Sequence, residues 1–151
     1  MAPKFDPMRV ALDEAAAAAR RGEVPIGAVI VRDGTVLARA GNRTIELDDP
    51  TAHAEILAIR TAAAAAGSQR LVGADLYVTL EPCAMCAAAV SFARIHRLYF
   101  AAADAKSGAV ESGVRLFEQP SCHHKPEVYG GIAEGEASTM LRTFFQSRRE
   151  G

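Results

Sequence analysis

The sequence predicts an α/β fold, a three-layer sandwich of helices around a mixed central β-sheet. Three observations lead there. Two β-branched runs flank Arg32-Asp33-Gly34, the pattern of a hairpin. The stretch "ADLYVTL", "PCAMCAAAVSFARI", "HRLYFAA" over residues 74–102 reads as strand, helix, strand, which implies one right-handed parallel crossover. Helical patterns precede, separate and follow these strands, the first two alanine-rich at residues 15–19 and 62–66.

Taken in order, residues 6–21 form the opening helix, with Met8, Leu12 and the alanines as its apolar stripe and Arg20-Arg21-Gly22 at its C-terminal end. "PIGAVIVRDGTVLARAGN" supplies the hairpin. "DDPT" breaks the chain and offers capping groups to a helix over about residues 52–66 that ends at Gly67. After the crossover unit, residues 104–127 are rich in Gly, Ser, Pro and His and read as a long loop with a helical turn near "VRLFEQ". "EVYGGI" adds a short edge strand, and residues 134–149 close the chain as an amphipathic helix. With no repeat and no linker, the expectation is a single domain over residues 1–151.

Composition bounds the function. Hydrophobic residues are 50% of the chain, but alanine contributes heavily, aromatics are 6% and tryptophan is absent, so the core is expected to be small and aliphatic. No apolar run reaches the roughly 18–20 residues of a membrane span, and "MAPKFDPMRV" has no apolar signal core. A cytoplasmic protein with no membrane partner is the expectation. Three cysteines cannot all pair within one chain, so Cys83 and Cys86 read as ligands or redox thiols and Cys122 as a free thiol. A formal net charge of −1 gives no global basic signature, so a nucleic-acid partner would have to be held by a local patch.

Two stretches carry chemistry. "TAHAEILAIR" sets His53 and Glu55 two positions apart at a helix start, and "LEPCAMCAAAV" sets Cys83 and Cys86 three apart at another. Pro82 suits the first helical position of the second helix. Alone, C-x-x-C is often a redox pair or half of a zinc ribbon, and H-x-E is usually surface decoration. Together they differ: no second C-x-x-C completes a ribbon, and a thiol redox enzyme has no use for the H-x-E. Two thiolates and an imidazole supply three ligands to Zn²⁺ and leave a fourth position for water, the arrangement of a catalytic site. Helix N-termini favour thiolate over thiol. Glu55 is placed to take the proton of an activated water without being a ligand, which suits attack on a ring carbon bearing an amino group. H-x-E…P-C-x-x-C is the signature of zinc-dependent nucleobase deaminases.

On these residues the chain resembles the cytidine/deoxycytidylate deaminase superfamily. Within it the chain looks most like the bacterial tRNA-specific adenosine deaminases, which make inosine at the anticodon wobble position. The likeness runs from about residue 8 to residue 149, through "EVPIGAVIV", "GNRT", "DPTAHAEILAIR", "LYVTLEPCAMCAAAV", "DAKSGAV" and "FFQSRR". It implies a cytidine deaminase-like fold, one Zn²⁺ per chain on His53, Cys83 and Cys86, and Glu55 as proton shuttle. It implies that Asn42 contacts the flipped base, that Val24 lines the base pocket and that Asp104 lies near the sugar. Phe144, Phe145, Arg148 and Arg149 match a helix that meets the anticodon stem-loop; Phe145 and Arg148 are the expected contacts. A homodimer is implied too, and the small residues around 87–93 would permit close packing. "SCHH", residues 121–124, reads as a free thiol with loop histidines rather than a second metal site, with His123 or His124 within reach of RNA from that loop. The alternatives are a free-base deaminase acting on guanine or, less readily, cytosine, and a non-catalytic zinc-bearing RNA-binding module.

Overall fold

The computed structural model describes residues 5–150; residues 1–4 and 151, which the domain bounds 1–151 include, lie outside the described residues. The elements are α1 (Pro7–Arg20), β1 (Gly27–Arg32), β2 (Thr35–Gly41), α2 (Ala54–Ala66), β3 (Asp75–Leu80), α3 (Ala84–Phe92), β4 (Arg97–Ala102), a 3-10 turn at Leu116–Glu118, β5 (Glu127–Gly130) and α4 (Glu134–Glu150). The sheet order is β2-β1-β3-β4-β5. β1 pairs antiparallel with both β2 and β3, whereas β3–β4 and β4–β5 are parallel. The sheet is therefore mixed, as expected.

Local chemistry explains the turns. Asp33 and Gly34 both have positive φ, 52° and 76°, the two-residue geometry that matches strand twist and that Asp-Gly adopts readily. Asp6 caps α1 by accepting from the Met8 N–H at 3.0 Å. Gly67 ends α2 in the left-handed region.

Strand alternation builds the layers. Ala28, Ile30, Leu76, Val78, Leu98 and Phe100 face one side with Ala54, Ala58 and Ala62 of α2 and Ala87 and Val90 of α3. Val29, Val31, Tyr77 and Tyr99 face the other, with Met8, Ala11 and Leu12 of α1 and Ala137 of α4. Apart from Phe100 and Phe117 the buried hydrophobic side chains are non-aromatic, mostly Ala, Val, Leu and Ile, so the core is small and largely aliphatic. Tyr77, Tyr99 and Tyr129 stand in register on β3, β4 and β5 and stack, with centroids 4.3 Å and 5.1 Å apart.

Three local expectations are corrected. The helix expected over 82–95 is shorter, because Arg94 turns to φ 62° and the Ile95 N–H closes back onto the Val90 carbonyl at 3.2 Å. Pro82 is not the first helical residue: Cys83 is the N-cap in an extended conformation, and Pro82 precedes it. "DDPT" does not cap α2 with a side chain; His53 is the N-cap and makes no such bond. Asp49 instead accepts from the Thr51 N–H (2.8 Å) and hydroxyl (2.7 Å), a self-contained turn.

Candidate metal centre and its flanking groove

Both ligand stretches sit at helix starts on the same side of the sheet. β3 runs through Leu80 into Glu81-Pro82 and delivers Cys83 to the N-cap of α3 and Cys86 to its first turn. β2 ends at Gly41, and the segment from Asn42 to Thr51 returns the chain so that His53 caps α2. Both caps adopt extended backbone and form no side-chain cap bond, which frees the imidazole and the thiol to face each other.

The three side chains converge. His53 Nδ1 lies 3.7 Å from Cys83 Sγ and 3.4 Å from Cys86 Sγ, and one ligand atom from each residue lies within 4.8 Å of the others. A tetrahedral Zn²⁺ with Zn–S near 2.3 Å and Zn–N near 2.0–2.1 Å sets a sulfur and a nitrogen ligand about 3.6 Å apart. The observed spacing and the donor set fit that ion. Among the described residues this is the one group of three or more metal-ligating side chains so gathered.

Electrostatics agree. Hydrogen bonds from Cys86 and His53 bring the Cys83 thiol down to about 4, so it is a thiolate near neutrality. The hydrogen bond to Cys83 and burial push the Cys86 thiol up, and the bond to Cys83 raises His53. The Cys83 thiolate is a charged sulfur donor suited to a cation. Glu55 is 4% exposed on the first turn of α2. Burial raises its carboxyl to about 7, against the lowering influence of its own backbone N–H and of His53.

The other expected residues fall into two places. Val24, Asp104, Phe145 and Arg148 all line one groove of about 950 Å³ between α4 and the loop after β4. Lys106, Arg142 and Arg149 line it as well, so four cations face one carboxylate, Asp104. That is the local basic patch which a chain of net charge −1 requires for a polyanion. His53, Cys83 and Cys86 are not among the groove's walls; Leu80, one wall, leads to Cys83 through Glu81 and Pro82. Asn42 is elsewhere, 4% exposed at the end of β2. Its N–H donates to the Ile26 carbonyl at 3.0 Å, its carbonyl accepts from Arg21 at 3.1 Å, and its amide reaches Thr44 Oγ1 at 3.5 Å. The adjoining Arg43 N–H donates to the Ala52 carbonyl at 3.0 Å, which ties this turn to the residue before His53.

The aromatic pair on α4 divides as well. Phe145 is 45% exposed on the groove, whereas Phe144 packs edge-on against it and lies under the Arg148 guanidinium at 4.8 Å. Arg148 also donates to the Gly22 carbonyl at 2.6 Å, so it fastens α4 to the end of α1. In the "SCHH" stretch, the Cys122 thiol donates to the His124 carbonyl at 3.2 Å and His124 Nε2 meets the Ile95 carbonyl at 2.7 Å.

Two buried carboxylates were missed in the sequence. Glu23, 2% exposed, accepts from the Ile45 and Glu46 N–H groups at 3.2 Å and 2.8 Å. Glu81, 2% exposed, takes the loop after β4. Burial pushes the Glu81 carboxyl up, but the N–H groups of Asp104, Glu111, Val110 and Ser112 outweigh it and hold it below the ordinary range. An acid directly following the apolar strand "LYVTL" was the available signal, since a charge there needs partners.

Comparison with known proteins agrees with this geometry. Residues 3–102 match the cytidine and deoxycytidylate deaminase zinc-binding region. A tRNA-specific adenosine deaminase of Agrobacterium fabrum is 64% identical over 149 residues, 99% of this chain and 98% of that protein. A solved structure from a study of A-to-I editing by tRNA:A34 deaminases at the wobble position of transfer RNA superimposes with a TM-score of 0.88 at 66% identity, covering 89% of this chain and 98% of that one. A guanine deaminase structure from Bacillus subtilis is more distant, with a TM-score of 0.65 and 30% identity over 96% of this chain and 92% of its own. The chain belongs to the cytidine and deoxycytidylate deaminase family and, within it, to the group of the tRNA-specific adenosine deaminases.

Proposed function

We propose that this chain is one zinc-dependent hydrolase domain, residues 1–151, that converts adenosine to inosine at the anticodon wobble position of tRNA. The observation that carries the reading is the pairing of a His53–Cys83–Cys86 cluster with a buried carboxyl, Glu55, on the same helix start as the histidine. His53, Cys83 and Cys86 hold one Zn²⁺ per chain. When bound, zinc supplies Lewis acidity and lowers the pKa of a coordinated water.

The remaining steps belong to the chain's own residues. Adenosine and water give inosine and ammonia, so one C–N bond breaks, one C–O bond forms and protons must move. Glu55 takes one proton from the attacking water and delivers it to the ring nitrogen, then takes the second from the hydroxyl left on the ring carbon and passes it to the departing amine. A carboxyl raised to about 7 both accepts and returns a proton near neutral pH. The base leaves its stack to reach the site. Asn42 holds it through its amide, Val24 forms a wall, and Asp104 lies by the sugar.

The groove favours RNA over a free base. A base alone needs only a pocket, whereas an anticodon loop needs contacts outside it. Lys106, Arg142, Arg148 and Arg149 offer charge to phosphates, and exposed Phe145 offers a stacking surface. We also propose a homodimer. Phe92 on α3 is 76% exposed beside the small residue Ala88, an apolar surface that a second copy would cover. A cytoplasmic location follows from the tRNA substrate, and no helix among the described residues is long and apolar enough to cross a membrane.

The test is a comparison of ammonia release from anticodon stem-loop RNA, guanine and cytosine. The reading expects release from the RNA alone. Release from guanine with none from the RNA would replace it by the free-base reading, and release from no substrate would favour the binding module.

A further inference from the structure

We infer that Glu81 is a positioning residue: its carboxylate locks the loop 104–112, a wall of the RNA groove, onto the turn that presents the metal ligand Cys83. This deepens the proposed function and rests on it for the identity of the substrate.

The geometry is two-sided. Glu81 Oε1 accepts from the Asp104 N–H at 2.9 Å and the Ser112 hydroxyl at 3.1 Å. Oε2 accepts from the N–H groups of Val110, Glu111 and Ser112 at 3.0, 2.9 and 3.0 Å. Both ends of the loop thus close on one side chain. The backbone joins in: the Glu81 N–H donates to the Ala102 carbonyl at 2.8 Å, and the Ala109 N–H donates to the Pro82 carbonyl at 2.9 Å. Asp104 then organises the tip, its Oδ1 accepting from the N–H groups of Lys106 and Ser107 at 3.1 Å and 3.0 Å. Asp104, Lys106 and Ser107 are the groove residues that this arrangement aims.

The side chain's chemistry is specific. All five partners are donors, and a carboxylate is acceptor-only on both oxygens. A glutamine of the same shape turns one end into an N–H donor, which must face either Asp104 or the Val110–Ser112 amides. Backbone closeness adds a second requirement. A Cβ at Gly108 would sit 2.5 Å from Glu81 Cδ and 2.5 Å from the Asp104 carbonyl oxygen. Only glycine lets the loop lie on the carboxylate.

The experiment uses the full zinc-loaded chain and the Glu81→Gln variant, with residue-resolved hydrogen exchange, zinc content and kinetics on anticodon stem-loop RNA. Exchange at Asp104, Val110, Glu111 and Ser112 is expected to quicken by roughly tenfold or more, since donors are left without their acceptor. The sheet amides and the zinc content should not change. KM for the RNA should rise by a comparable factor, with kcat falling less, because the loop holds substrate outside the reacting centre. Wild-type exchange in the loop, an even acceleration across the sheet, unchanged KM, or loss of zinc with the loop still protected would each overturn the proposal. If Glu81→Gln does not fold, Gly108→Ala presses on the same contact from the loop side. It is expected to give the same local quickening, and wild-type exchange in it would overturn the proposal equally. If the wild-type chain turned over no RNA, the substrate reading would fall, while exchange alone would still decide for or against the lock.

Discussion

Glu55 and His53 are two residues apart at the start of α2, yet they do different work because one turns to the sulfurs and the other is buried. Cys83→Ala or Cys86→Ala removes one of three ligands and is expected to abolish zinc binding and activity together, as metal analysis and ammonia release would report. Glu55→Gln keeps the ligands. It should retain zinc and lose more than the roughly 10²–10⁴-fold usual for one acid–base group, since it serves several proton transfers. Its burial also has a thermodynamic sign. The carboxyl is raised from 4.5 to about 7, so between those values the native state holds a proton that the unfolded state has released, and stability falls as pH rises. In metal-free protein, Glu55→Gln is therefore expected to raise the thermal midpoint at about pH 8 and to leave it unchanged at about pH 4. The same variant-minus-wild-type difference at both pH values would mean that the carboxyl ionises without cost. The four key residues were legible because H-x-E and P-C-x-x-C are each marked by residue type and short spacing and together form one signature, although His53 lies 30 and 33 positions from the two cysteines. Glu23 and Glu81 were not, because nearly all their partners are backbone N–H groups 22–31 positions away, which no residue type marks in a sequence.

At the scale of elements, the hairpin and the β3–α3–β4 crossover could be read from the sequence since each rests on local signals: Asp33-Gly34 in one, a strand, helix and strand in the other. The true end of α3 could not, because it depends on Arg94 entering the left-handed region while Ile95 closes back on Val90. α4 shows how neighbouring residues of one helix serve two purposes. Arg148 lines the groove and also reaches the Gly22 carbonyl and covers the Phe144 ring, whereas Arg149 lines the groove without those two contacts. Arg148→Ala is accordingly expected to lower stability by about 1 kcal/mol, from one exposed charged hydrogen bond and one exposed cation–π contact. Arg149→Ala should leave the thermal midpoint in place yet weaken RNA binding and flatten its salt dependence, because fewer counterions are released. Equal stability losses in the two variants would contradict this division.

At the scale of the whole molecule, the sheet sets two layers of function side by side. Its α2–α3 face supplies the metal cluster from two helix starts, and the other face carries α4, whose basic groove includes the loop after β4. A near-neutral chain thereby concentrates positive charge where a polyanion would lie. The exposed Phe92 adds a prediction for the proposed homodimer: Phe92→Asp should sediment as monomer where the wild type sediments as dimer, and a dimer in both would move the interface elsewhere. The most direct measurement of the central claim is mass spectrometry of tRNA incubated with the zinc-loaded chain in heavy-oxygen water. The account predicts inosine confined to the first anticodon position, with the heavy oxygen on its ring carbon, and none in the Glu55→Gln reaction. Unmodified tRNA alongside xanthine formed from guanine would contradict it.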